Sequence, residues 1–453
     1  MMNFNRWQQY GFPAILAIYF VVQLVYLLFL PLPFENDSLE HYRLAQECLA
    51  AGRFYPLPQH RGADYILAPV YINFLVGLLA LHNSTATILF ANLLLNSLQL
   101  FLLYRLARKI LEKESWARLV VVLYVCYLTN LGLVLHNLTE LLFGVLCLAS
   151  LNLYLYHNWR AAVLAGALLG LAIGVRPFGW ALLLACFSAE ALAFLRHRPW
   201  HAPLLGLAGG TFAVIIVLAF AGKSAVGEFV FTSTTGPANL LMGANDLANG
   251  AYNKRVFAPG QPGFLPADSA MTFVEKGDYW TAQARRWMRA HPFEWLALFP
   301  HKLLHLFARD DWAINALTHS HAWSLYRIGK IMQAGSFHEI LAGESLRFQV
   351  GFLALQLVHH VYYFILLLLV LHQALRLIRS KSGFWLERFA VIYFFSVFGL
   401  GMNLLTVGDP RYKYPYFILW LITVPPALSA LYAKLQSRSA TTAGASPPAG
   451  KSV

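Results

Sequence analysis

Apolar runs of about the length that crosses a bilayer, roughly 20 residues, recur along nearly the whole chain. They fall at 12–32, 85–104, 117–135, 138–157, 161–175, 178–195, 203–221, 350–372, 386–405 and 413–432. In hydrocarbon a backbone N–H or C=O finds no water, so each run must close its hydrogen bonds internally, as a helix. Only 12% of the 453 residues are charged, against about 25% in a soluble domain. The expected fold is an all-α polytopic membrane protein of about ten spans, or eleven if 65–82 also crosses.

The formal charge of +13 does not point to nucleic acid, because Lys and Arg are scattered between apolar segments and not gathered on a polar domain. They read as topology determinants and contacts to anionic lipid. If 65–82 lies along the surface, then Arg105, Arg108, Lys109, Lys113 and Arg118 fall inside, with Arg196 and Arg198, Arg376, Arg379 and Lys381, and Lys434 and Arg438. If it spans, the first two of these groups fall outside, against the positive-inside tendency. The surface option gives ten spans and cytoplasmic termini. The first run is too long for a signal-peptide core and lacks a small-residue cleavage site, so it stays as helix one. Residues 1–436 then form a single membrane domain, and the Ser-, Ala-, Gly- and Pro-rich stretch 437–453 reads as a disordered cytoplasmic tail.

This topology places 33–84 (a first outer loop with juxtamembrane helices), 222–349 (a large outer loop region), Arg176-Pro177 and 408–415 on one non-cytoplasmic face. Within the large region, 281–308 has helical amphipathicity suited to lying in the interface plane. Of the four cysteines, Cys126, Cys147 and Cys186 lie in apolar segments and Cys48 in a polar loop, with no disulfide framework or CxxC pattern.

Few residues on that face can do chemistry. Asp37 follows helix one, with Glu40 three residues on and Tyr42 beyond. The pair fits a helix cap with a capping-box-like partner, or else Asp37 is a carboxylate at the water-membrane boundary able to take a proton from a hydroxyl. Arg411, Tyr412, Lys413 and Tyr414 fit interfacial anchoring, or a phosphate clamp built on the donor fork of arginine. Arg176 ends an apolar run and needs water or a polar partner, for which Glu140 is a candidate. Lys302, with His301, His305 and Arg309 nearby, fits a wet helix face. His319 and His321 have no acidic residue at ligand spacing, so no metal site is expected. The acceptor-like triplets beginning at Asn83 and Asn137 are short enough to arise by chance.

Taken in order, Asp37-Ser38 with Tyr42 and Ala45, Leu138-Thr139-Glu140-Leu141-Leu142-Phe143, Gly170-Leu171-Ala172 before Arg176-Pro177, Gly243-Ala244-Asn245-Asp246 with Ala248 and Gly250, His291-Pro292 before Lys302, and Arg411-Tyr412 with Pro415 form a pattern covering nearly the whole chain. It resembles the GT-C superfamily of glycosyltransferases, in particular the bacterial enzymes related to protein O-mannosyltransferases and the lipid A aminoarabinose transferase. The resemblance implies a polyprenyl-phosphate sugar donor, a glycan, lipid or protein acceptor on the periplasmic face of a bacterial inner membrane, and Asp37 as general base. It further implies donor-phosphate contacts from Arg411, Lys302, Tyr412 and Arg176, support from Glu40, Tyr42 and Glu140, and no required cofactor, with divalent-metal dependence open. The match departs from O-mannosyltransferases at Asn36-Asp37-Ser38, where they carry adjacent Asp and Glu, and at Ile88-Leu89-Phe90, where relatives often carry Arg. The competing classes are an O-antigen polymerase or ligase using diphosphate-linked glycans, and a transporter without covalent chemistry, against which this sequence shows no clear internal repeat of the kind transporters often carry.

Overall fold

The computed structural model describes residues 4–29, 34–156, 158–196, 203–266, 270–314, 317, 346–379 and 383–443. Among the described residues the secondary structure is helical, and the β-type pairing is one isolated bridge, Ala251 to Gly408. In order the helices are α1 (Phe4–Phe29), α2 (Asn36–Ala51), α3 (Pro69–Leu81), α4 (Thr85–Leu111), α5 (Glu114–Cys126) and α6 (Leu128–Leu133). There follow α7 (Glu140–Tyr154), α8 (Trp159–Val175), α9 (Gly179–Leu195), α10 (Pro203–Val226), α11 (Gly236–Met242), α12 (Phe273–Ala290) and α13 (Pro292–Phe307). The last are α14 (Leu346–Arg379), α15 (Gly383–Leu405), α16 (Tyr414–Trp420) and α17 (Val424–Ala443).

Among the described residues six segments are long and apolar enough to cross a membrane, within α1, α4, α10, α14, α15 and the run Pro410–Ser437. Four further apolar helices, α3, α7, α8 and α9, have 10–17 residues. This is a multi-pass membrane protein, but length alone supports six spans and not the expected ten. The 13-residue α3 is the shortest of the four. It reaches about 20 Å against a hydrocarbon core of about 30 Å.

Three expected runs are broken, each for a local reason. The run 117–135 divides at Tyr127, because Asn130 turns its side-chain amide back onto the Tyr124 carbonyl at 2.8 Å and replaces the helical donor there. The run 413–432 tightens to a 3-10 turn at Leu421–Thr423, where Pro425 and Pro426 remove the N–H groups that residues 421 and 422 would need. The amphipathic segment 281–308 bends at His291, because Pro292 can begin a helix but cannot continue one. At the far end, α17 carries helix through 437 to Ala443, so the start of the expected disordered tail is structured; 444–453 lie outside the described residues. His319 and His321 also lie outside them.

Packing between the apolar helices relies on small residues and interhelical polar contacts, as lipid offers no hydrophobic drive for helix association. A Cβ on Gly166 would stand 2.1 Å from the Leu207 carbonyl oxygen, and one on Gly210 2.1 Å from that of Val163, so α8 and α10 touch backbone to backbone. Buried Asn96 on α4 donates to Gln23 Oε1 of α1 at 2.8 Å and to the Asn130 carbonyl at 2.9 Å. Gln99 donates to the Tyr124 and Tyr414 hydroxyls at 2.9 and 2.8 Å, locking α16 to α4 and α5.

Candidate active site

Asn36 opens α2 with φ +48°, a left-handed conformation that Asn tolerates better than most residues. The helix cap is Glu35, which makes no side-chain cap bond, so Asp37 is not the N-cap and its carboxylate is directed elsewhere. The α2 helix is anchored from beneath: buried His41 contacts the Asn137 carbonyl through Nδ1 at 3.1 Å, Asn137 donates to the Ser38 carbonyl at 2.9 Å, and Tyr71 donates to Asn137 Oδ1 at 2.7 Å.

Arg411 lies on a 3-10 turn, Pro410–Lys413, capped by Asp409, whose Oδ1 accepts from the Arg411 amide at 2.9 Å. Its guanidinium bridges two acids. Nη1 donates to Asp37 Oδ2 at 2.7 Å, and Nε donates to Glu140 Oε1 at 3.2 Å. Arg176, just past α8, donates to the same Glu140 oxygen at 2.8 Å and sits 5.9 Å from the Tyr412 ring centroid. The two guanidinium groups thus balance Asp37 and Glu140, with Asp409 a further negative charge near Arg411. Balance matters most at Glu140, whose side chain is fully buried, since an unpaired buried charge is strongly destabilising. Asp37 differs in keeping 59% of its side chain exposed. Burial works against its ionisation, but the charge and hydrogen bond of Arg411 outweigh that and hold its carboxyl below the ordinary range.

A cavity of about 640 Å³ opens onto this cluster, in the size range of small-molecule sites. Asp37, Glu40, Arg411 and Tyr412 line it. Arg176 and Glu140 stand behind them through the bonds above. Glu40 lines the cavity, with its carboxylate paired to exposed Arg43 at 3.1 Å. Tyr42 points away from the cavity, its hydroxyl accepting from Gln46 at 2.7 Å.

Lys302 does not reach the cluster, and it is not on a wet face. Its side chain is buried and donates to the Leu404 carbonyl at 2.8 Å; burial lowers its amine to about 8. A Cβ on Gly408 would lie 2.1 Å from the Lys302 carbonyl oxygen, and one on Gly250, at φ +89°, would lie 2.9 Å from the 301–302 backbone. Lys302 thus braces the strand-like turn that leads into Arg411. Asn245, from the sequence pattern, is also scaffold: buried, it donates to the Leu241 carbonyl at 2.7 Å and accepts from the Leu247 amide at 2.7 Å.

Sequence reasoning missed a second charged cluster under the Arg411 turn. Lys413 and Asp310, both buried, pair at 2.7 Å. Asp310 Oδ2 lies 3.0 Å from His359 Nε2 and accepts from Tyr127 at 2.5 Å and Thr129 at 2.9 Å. The adjacent acids Asp310-Asp311 at the end of an amphipathic helix were the available signal. Cavity residues Tyr65, Tyr252, Lys254 and Trp312 were missed too.

No family model matches the sequence, and no curated protein does. Among solved structures, the chain is similar to the oligosaccharyltransferase of Archaeoglobus fulgidus tethered to an acceptor peptide containing the NVT sequon, with a TM-score of 0.51, 14% identity, and coverage of 98% of this chain and 52% of that one. The same oligosaccharyltransferase in complex with Zn and sulfate gives 0.50 at 14% identity, covering 94% and 50%. The chain shares its fold with that neighbour. At this identity the likeness concerns the fold alone, and the chain spans about half the length of that neighbour. Nothing in it singles out the O-mannosyltransferase or aminoarabinose branch of GT-C proteins. Among the described residues, no three His, Cys, Asp or Glu side chains converge as a metal-binding group.

Proposed function

We propose that the chain transfers a glycosyl unit from a polyprenyl-phosphate donor to an acceptor hydroxyl, with inversion, on the periplasmic face of a bacterial inner membrane. The observation that carries this is the Arg411 guanidinium held between an exposed carboxylate and a buried one at the mouth of a cavity. The fold shared with an oligosaccharyltransferase and the sequence resemblance to polyprenyl-phosphate-dependent enzymes support it.

In this reading the donor phosphate takes the Nη1 face of Arg411, displacing Asp37, while Glu140 and Arg176 keep the guanidinium oriented. The acceptor oxygen attacks the anomeric carbon and loses its proton to the Asp37 carboxylate. The bond from that carbon to the phosphate oxygen breaks, and its electron pair leaves with the lipid phosphate. A phosphate is a good enough leaving group to need no general acid, and charge developing on it is met by Arg411. The proposed steps involve no metal. Phe34, Leu135 and Leu138 give the cavity an apolar side suited to a prenyl chain.

Arg411→Ala is expected to lower the transfer rate by about 10²–10³-fold in proteoliposomes supplied with a defined polyprenyl-phosphate sugar, with Arg411→Lys recovering only part, since a lysine lacks the fork. Equal rates in all three proteins would end the clamp assignment. Supplying diphosphate-linked glycans in parallel separates this reaction from a polymerase or ligase, and no product from either donor would favour a transporter.

The pH profile provides a separate test. In the free protein Arg411 depresses the Asp37 carboxyl, so the acid limb of kcat/KM should lie below the usual carboxylate value of about 3.9. A bound phosphate takes Arg411 away and adds a negative neighbour, both of which raise that carboxyl. The acid limb of kcat should therefore sit at higher pH than that of kcat/KM. Coincident limbs would show that Asp37 keeps its partner throughout.

A further inference from the structure

A second cavity, of about 460 Å³, adjoins the first and shares Tyr65, Tyr252 and Lys254 with it. Its walls differ from those around Arg411. Trp280 and Phe257 form an aromatic corner, with ring centroids 5.2 Å apart and edge to face, and the indole is fixed by a 2.9 Å bond from its N–H to the Gly263 carbonyl. Opposite in composition, Thr235 and Asn239 stand four residues apart at the start of α11, which puts them on one face. Among the described residues the Asn239 amide and the Tyr252 hydroxyl donate to no protein group, so both are available to a ligand. Charge is nearly balanced: Asp64 is paired with Lys276 at 2.9 Å, leaving Lys254 at the boundary with the first cavity.

We propose that this second cavity is a subsite for a neutral sugar residue of the acceptor, so that the acceptor is a saccharide. The inference rests on the glycosyl-transfer reading and names its substrate class. A sugar ring has apolar C–H faces that pack on aromatic rings and hydroxyls that bond to amides and phenols, and the cavity offers both on a fixed platform. A prenyl chain would strand the amide and hydroxyl groups of its walls unpaired. A peptide held by strand addition or as an amphipathic helix needs an open sheet edge or a helix groove, and neither lines this cavity. The two loop regions build it together, since Lys276 Nζ on α12 also donates to the Gly62 carbonyl at 2.9 Å. A sugar seated here reaches the boundary formed by Tyr65, Tyr252 and Lys254, beyond which lie Asp37 and Arg411.

The test uses the full chain in lipid nanodiscs and saturation-transfer NMR with a mixture of lactose, cellobiose, mannobiose and the neutral peptide Gly-Thr-Gly-Ser. Saturation transfer to the ring protons of at least one disaccharide is expected, reduced about tenfold by Asn239→Ala, as for the loss of one well-made hydrogen bond. Tyr252→Ala should reduce it similarly, and because that side chain is 45% exposed it keeps the test usable if Asn239→Ala does not fold. Asp37→Asn should leave the signal unchanged. Transfer to the peptide alone, to none of the probes, or undiminished in both cavity variants would overturn the proposal. Because the measurement needs no turnover, it stands apart from the rate of Asp37→Asn, on which the transfer chemistry itself depends.

Discussion

Asp37→Asn should fold and insert as the native chain does and yet transfer sugar about 10²–10⁴-fold more slowly, the usual contribution of a general base. The expectation follows from how Asp37 is held. Its side chain is largely exposed, so losing its charge forfeits only a screened ion pair, and such pairs are worth about 0–1 kcal/mol. The amide oxygen can still accept from Arg411, which preserves the geometry, but the amide cannot take a proton from the acceptor. Donor affinity should be kept or improved, because the competitor for Arg411 loses its charge. Native turnover in this variant, measured with the same donor in proteoliposomes, would remove Asp37 from the chemistry.

The largest effect on stability is expected under the Arg411 turn. Lys413→Met leaves the buried Asp310 with His359, Tyr127 and Thr129 but without its full countercharge. Breaking one half of a buried pair destabilises by about 3–5 kcal/mol. Asp310→Asn alone should be comparably damaging, because Lys413 would lose its directly paired carboxylate and keep the carbonyls of Arg309 and Pro410 and the face of the Tyr363 ring. The double variant should recover much of the loss, since an amide beside a methionine carries no orphaned charge. Thermal unfolding of the four proteins in one detergent gives the coupling between the two sites. Additive losses would mean that the pair contributes little to holding the turn.

Much of the charged cluster around Arg411 was readable in the sequence because lipid makes polar residues conspicuous. Asp37, Glu140, Arg176, Arg411 and Tyr412 all stand at the ends of apolar runs, where a charge has to find water or a partner, and the structure gathers them within one cluster. Lys302 misled because amphipathic periodicity says which side of a helix is polar, not what packs over it. Gly250 and Gly408 bring backbone against residues 301–302 and bury the lysine, and contacts so distant in sequence leave no trace in a helical pattern. The break at Tyr127 was hidden for a similar reason. A run rich in Val and Leu reads as one span, whereas Asn130 ends its first helix by a side-chain bond. The second cavity could not be read at all, because it joins Tyr65 of the first loop to residues 235–280 of the large one.

The Asp310 cluster also has a consequence for biogenesis. Its aspartate precedes α14, its histidine lies within α14, and its lysine arrives only after α15. During synthesis the aspartate and histidine can meet first, while the principal countercharge is still to come. Lys413 must then be drawn into a place where a lone ammonium would be costly, and the waiting carboxylate supplies the reason for it to enter. The final apolar run therefore completes the assembly electrostatically as well as by packing. A ribosome-arrested chain that exposes α15 but not Lys413 should remain open to protease around residue 310, and should close once the lysine has emerged.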